Sequence, residues 1–193
     1  MRRGYAVLAV PLAAGAVAVA WWAPWSSSPD PLARAGAAFG DFPVVHVVAR
    51  PSSPRSASPL RPLMTVRETE IWYDASRDRM HVVEQHNGLV KTERVGRPPP
   101  GTSPLLAFVL HYRSDLADRA LRVSGRDVVE NRPVIWLRGS AYQVAVDPVS
   151  YQPLWVAGPD ARPEAPLQLV LAETKPYDPA DFLTTKQRKP RHL

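Results

Sequence analysis

Three residues of the kind a zinc hydrolase uses lie close together in Arg79–Val95, RMHVVEQHNGLVKTERV: they are His81, Glu84 and His86. On a helix, the inverted zinc-protease pattern needs its second histidine four positions after the first. Here it comes five after, which turns it to another side. On a strand, successive side chains alternate faces, so His81 points opposite to Glu84 and His86. Neither geometry brings the three to one metal. Glu68 and Glu70 share a strand face and have the chemistry of a glycosidase pair, but beside Arg67 and Arg126 they read as a solvated face. Gly139-Ser140 lacks the flanking glycines of a nucleophile elbow, and no dinucleotide, Walker, zincin or EF-hand pattern occurs. His46 alternates with valines as a core or edge histidine would, and His111 falls on the polar side of a helix. The expectation is a protein that is not an enzyme and carries neither cofactor nor metal.

The elements that hold these residues are legible. Asn87-Gly88 is a strong hairpin signal, because a type I′ turn needs positive φ at both central residues. A two-residue loop sets His86 opposite Leu89, Glu84 opposite Lys91, Val82 opposite Glu93 and His81 opposite Arg94. The Glu84–Lys91 pair would contribute roughly 0.2–1 kcal/mol. Before this hairpin, Phe42–Ala49 (FPVVHVVA) reads as a strand, and so does MTVRETEIWYD, which sets Glu68, Glu70 and Trp72 opposite to Thr69, Ile71 and Tyr73. Between them, Arg50–Pro62 is a long loop of prolines and serines. After the hairpin, Ser103 and Pro104 open a helix whose apolar residues Leu105, Phe108, Val109, Tyr112 and Leu116 form one stripe. RPVIWLR, AYQVAV, LWVA and LQLVLAE follow as strands. The pattern is α+β: one antiparallel meander with one main amphipathic helix laid against it.

With 193 residues the chain suffices for one domain with a real core and hardly for two. Its 22 prolines argue against long helices. The absence of cysteine excludes disulfides, a thiol nucleophile, cysteine-ligated metal and a lipid-modified cysteine. Arg2 and Arg3 precede an uncharged apolar run, Tyr5–Ala23, near the ~20 residues that span a membrane. Ala18-Val19-Ala20 offers a cleavage site, whereas Trp21, Trp22 and Trp25 resemble the aromatic belt of a retained helix. Residues 1–25 are therefore expected to be a signal peptide or anchor, with the rest exported to the outer side of the cell membrane or secreted. Residues 26–40 read as a linker, with room for one turn of helix within 26–38, 41–175 as the β-rich domain and 176–193 as a basic tail. The net charge is +6, and Arg2, Arg3, Lys186, Arg188, Lys189 and Arg191 account for it: without these six of the 24 basic residues, 18 face 18 acidic ones. The body is neutral and has no basic groove, which excludes nucleic acid as a partner. The tail reads as a disordered arm suited to anionic headgroups or wall polymers, or as a solubilising end.

The order of these elements, and above all the units IWYDASRDRMHVV and VAVDPVSYQPLWV, resembles extracytoplasmic proteins of the half-barrel type: the lipoprotein carrier LolA, the lipoprotein LppX and the N-terminal domain of the regulator RseB. The second unit is similar to the V-D-x-x-T-x-x-P turn of that superfamily, with Ser150 in place of threonine. The resemblance covers about residues 42–173 and implies a curved antiparallel sheet, a half-barrel, whose concave face lies under the helix. It implies that this face holds acyl chains or packs as core; as a binding module the protein would hold a lipid or other apolar ligand there, with the N-terminal anchor keeping it at the cytoplasmic membrane. The alternative is an RseB-like regulatory domain with a closed core and an envelope protein as partner.

Alternation says where such a ligand would sit. Tyr142, Val144 and Val146 share one strand face, and Leu167, Leu169 and Leu171 share another. With no other helix expected, these faces should meet Leu105, Phe108, Val109 and Tyr112, and the ten residues form the candidate pocket. Trp72, Trp136 and Trp155, all in strands, either line that cavity or pack as core.

Overall fold

The computed structural model describes residues 30–52, 66–101, 103–160 and 166–188. Nine strands form a single antiparallel sheet: β1 (Val44–Pro51), β2 (Arg67–Asp74), β3 (Arg79–His86), β4 (Leu89–Gly96), β5 (Arg122–Val129), β6 (Arg132–Arg138), β7 (Gln143–Val146), β8 (Pro153–Ala157) and β9 (Leu167–Lys175). Their spatial order is β4-β3-β2-β1-β9-β8-β7-β6-β5. The chain thus draws two meanders rather than the expected one, and the pairing of β1 with β9 closes them into one sheet. The signal or anchor expected at residues 1–25 and most of the proline-serine loop lie outside the described residues. Among the described residues no helix is long and apolar enough to cross a membrane.

Helix α1 (Pro31–Phe39) lies where a linker was expected. Asp30 caps it, its carboxylate accepting from the Leu32 amide at 3.0 Å, and proline occupies the first turn. Its Ala35 and Phe39 are buried. Helix α2 (Pro104–Ala117) starts as the sequence foretold, with the Ser103 hydroxyl accepting from the Leu106 amide at 3.2 Å. Leu105, Phe108, Val109, Tyr112 and Leu116 are all buried, but so are Leu106 and Ala107, so the apolar surface is broader than one stripe. The Phe39 ring stands edge-on to Tyr112 at 5.0 Å and to Phe108 at 6.1 Å, which ties the two helices together. Both helices join the larger core, which takes Val45, Val47, Ile71, Leu137, Val144 and Val156 from one face of the sheet.

Two expected registers shift, and bulges are the cause in both. Asn87 and Gly88 form the tip with φ of +52° and +75°, and His86 opposes Leu89 as expected. A bulge next to Glu84/Gln85 then moves the pairing by one, so Glu84 opposes Thr92, Val82 opposes Arg94 and His81 opposes Val95. Glu84 pairs with Arg67 at 3.5 Å instead of Lys91. In β9, Val48 opposes Leu171 while the next residue, Ala49, opposes Leu169, which leaves Val170 over. One extra residue exchanges the faces. Leu167 and Leu169 stay with the core, and Leu171 turns to the opposite face with Glu173.

Strand β5 was not expected. RVSGRDVV carries no apolar alternation, and seven of its eight residues are exposed at the sheet edge. The chain past β9, expected to belong to the tail, is folded as far as residue 188, although residues 185–188 are exposed. It makes a 3₁₀ turn (Pro179–Phe182) and a short helix α3 (Thr185–Arg188), with Phe182 fully buried.

Candidate functional site

The two helices do not cover the whole of their face of the sheet. Over β2, β3 and β4, beside the N-terminal end of α2, lies an open cleft of about 960 Å³. That is at the upper end of the roughly 300–1,000 Å³ of small-molecule sites. Its floor is apolar: Ile71, Met80, Val82, Leu105, Leu106 and Leu167. Its rim is polar, with Arg67, Arg94 and Arg97 set among Glu84 and Thr92. Arg67 is shared with Glu84, and Arg97 reaches Asp78 at 3.8 Å, outside the cleft lining. An apolar floor under a rim richer in cations than anions suits an amphiphile: the chain is desolvated inside and an anionic head meets guanidinium groups at the edge.

Of the ten candidate residues, Leu105 and Leu167 line this cleft. Phe108, Val109, Tyr112, Tyr142, Val144, Val146 and Leu169 are brought together as expected, but as filled core, none more than 5% exposed. Leu171 leaves the group through the β9 bulge. The two tyrosines show how dry this half is. Burial raises the Tyr112 phenol far above its ordinary value, and its hydroxyl has no hydrogen-bond partner among the described residues. Tyr142 is raised further, by burial first and then by its hydrogen bond to the Asp115 carboxylate at 2.7 Å.

The cleft's other residues were missed: Ile71, Met80 and Val82 on the sheet, and Leu106 outside the stripe. Alternation did show that Ile71 faces away from Trp72, which was the available signal. The three tryptophans face the other way. Trp72 packs with Val44, Val83 and Phe182 on the far face. Trp136 and Trp155 form a second far-face cluster with Val134 and Ala145. None lines the cleft.

Of the candidates for chemistry, His81, Glu84, Glu70 and His46 are held in side-chain contacts. His81 is 1% exposed, with Nε2 at 3.1 Å from Glu93 and Nδ1 against the main-chain oxygen of Asp181. Glu84 serves Arg67, and Glu70 serves His46 at 2.9 Å. Among the described residues no group of three or more metal-ligating side chains is placed to hold an ion. Asp74 and Asp147 organise the turns of the two strand–Asp–turn–strand units. Asp74 accepts from the Ser76 amide and from Arg77, and Asp147 from the Val149 and Ser150 amides.

No model of a known protein family matches this chain, and no curated protein matches it.

Proposed function

We propose that this is a non-enzymatic binding protein of the LolA-like half-barrel type, exported and held at the outer side of the cell membrane by residues 1–25. Its ligand is a lipid or comparable amphiphile whose apolar chain enters the cleft between α2 and β2–β4. The observation that carries this reading is the cleft itself: a volume of about 960 Å³ with an aliphatic floor and an arginine-bearing rim. Ile71, Met80, Leu105 and Leu106 of its floor are buried and Val82 and Leu167 partly open, and a concave apolar pocket with a few polar groups at its edge is the usual form of a ligand site.

Native mass spectrometry of the gently purified full chain tests it. The expected result is a co-purifying lipid that is lost in Val82→Trp, a substitution on the cleft floor. An empty protein with a specific envelope protein attached would overturn it in favour of the regulatory reading. That second reading has one observation behind it: Leu89 and Val90, at the start of the edge strand β4, are 65% and 48% exposed and present an apolar edge to a partner.

A further inference from the structure

Three arginines stand on the rim of the cleft, and two of them are held by carboxylates. Arg67 lies 3.5 Å from Glu84, and Arg97 lies 3.8 Å from Asp78. Arg94 is exposed and has no hydrogen-bond or ion-pair partner among the described residues. It stands directly opposite Val82 of the floor, and Glu84 and Thr92 form the next pair along the same face. Its guanidinium is therefore carried on the edge strand β4, beside the aliphatic floor, with its donors open to water.

Both carboxylates of the cleft lining are engaged. Glu84 serves Arg67. Glu93, next to Arg94 in the chain, is drawn to the far face, where residues 177–188 cross the sheet as a strap with Phe182 against Trp72. There it meets the His81 ring at 3.1 Å and accepts from the Thr185 amide at 2.9 Å. Among the described residues the rim thus offers a head group one unpaired cation and no unpaired anion. A carboxylate or phosphate takes a guanidinium as a fork, two oxygens to two N–H groups. An ammonium in the same head has no carboxylate to meet and must stay hydrated, and an uncharged head forgoes the ionic contact.

Taking the cleft as the ligand site, a step that rests on the binding-protein reading, we propose that Arg94 selects the head group. The cleft binds amphiphiles whose head carries one net negative charge in preference to zwitterionic or uncharged ones with the same chain. The chain lies on Val82, Met80 and Ile71, and the anionic head turns to Arg94 at the edge. The gain is modest, because Arg94 is open to water and an exposed ion pair is screened. A preference of about fivefold is what such a pair supports.

Native mass spectrometry of the delipidated full chain tests this, with equal amounts of lysophosphatidylglycerol and lysophosphatidylcholine of one acyl chain offered together. The anionic lipid should be bound about fivefold more, and in Arg94→Gln the two should be bound about equally. Glycerol phosphate in excess, the head without the chain, should leave the lysophosphatidylglycerol complex in place. In Val82→Trp both complexes should be lost; an anionic preference that survives there belongs to basic groups elsewhere and overturns the proposal. Equal binding by the native chain, or a preference kept in Arg94→Gln, overturns the head-group assignment and leaves the cleft as the ligand site. Displacement by glycerol phosphate would make the rim a phosphate site and overturns the assignment too. Binding of neither lipid by the native chain overturns the binding-protein reading together with it.

Discussion

The face of the sheet that carries the helices has a closed end and an open end, made of the same kinds of residues. Over β7 and β8, Tyr142, Val144, Val146 and Val156 are at most 1% exposed. Over β2–β4, Ile71, Met80 and Val82 form the floor of a cleft. The difference follows from dimensions rather than from hydrophobicity. Nine strands about 4.8 Å apart make a sheet close to 40 Å wide, whereas a helix covers about 10 Å and the 14 residues of α2 extend roughly 20 Å. Helices α1 and α2 lie against each other over the middle strands of the sheet, so β7 and β8 are closed over while β3 and β4 are covered only in part. An apolar strand face is thus either filled core or the floor of a cleft, according to how far a helix reaches over it.

The most severe way to break the comparison is to empty the closed end. Phe108 is fully buried and touches Phe39, Tyr112 and Tyr142 through their rings. Phe108→Ala should cost about 3–5 kcal/mol in denaturant unfolding, since so many fixed neighbours cannot collapse into the space. A loss below about 1 kcal/mol would mean that this end is not the packed half.

Adding volume at each end sharpens the contrast. Leu169, 5% exposed, is filled core, so Leu169→Trp should overpack and destabilise by about 1–3 kcal/mol. Val82 is only partly buried and faces free space, so Val82→Trp should change stability by less than about 1 kcal/mol. The same pair read against a bound lipid should invert. Val82→Trp abolishes binding, and the folded fraction of Leu169→Trp retains it. Equal thermal shifts from the two substitutions would erase the distinction between the ends.

Much of the fold was legible because its signals are local. β1, β2, β6 and β9 announce themselves by β-branched runs and alternation, and α2 by Ser103, Pro104 and its stripe. Helix α1 was hidden because PLARAGAAF has too few large apolar residues to show a period, and β5 because an exposed edge needs none. The bulges in β9 and in the β3–β4 hairpin escaped for another reason. An extra residue satisfies no local preference that can be read off LQLVLAE or LVKTERV; its place is set by the neighbouring strand. That single residue exchanged Leu171 for Ala172 on the core face. The site was the least legible part. Leu105 and Leu167 were named, but that the cleft opens over Met80 and Val82, and not over Val144, depends on how far α2 reaches. Trp72 shows the same ambiguity, since both faces of IWYD carry large apolar rings and only the packing of the strap tells them apart.

A comparison of two glycines separates backbone strain from packing strain in the two regions. Gly88 has φ of +75°, and a Cβ there would meet nothing within 4 Å, so Gly88→Val should carry only the backbone cost of about 1–2 kcal/mol. Gly40, just past α1 at the closed end, has a comparable φ of +88°, but its Cβ would come within 2.8 Å of the Thr174 hydroxyl oxygen. That hydroxyl is already engaged, accepting from the Phe42 amide and donating to the Phe39 carbonyl, each at 3.2 Å. Gly40→Val must therefore break the tie between α1 and β9 as well as strain the chain. It should lower the unfolding midpoint further than Gly88→Val does. Hydrogen exchange should locate the two changes differently: Gly88→Val loosens the amides of β3 and β4 near the tip, and Gly40→Val those of α1 and the end of β9. If Gly88→Val proved as disruptive as Gly40→Val, the hairpin would have to be packed against something, and the open end would not be open.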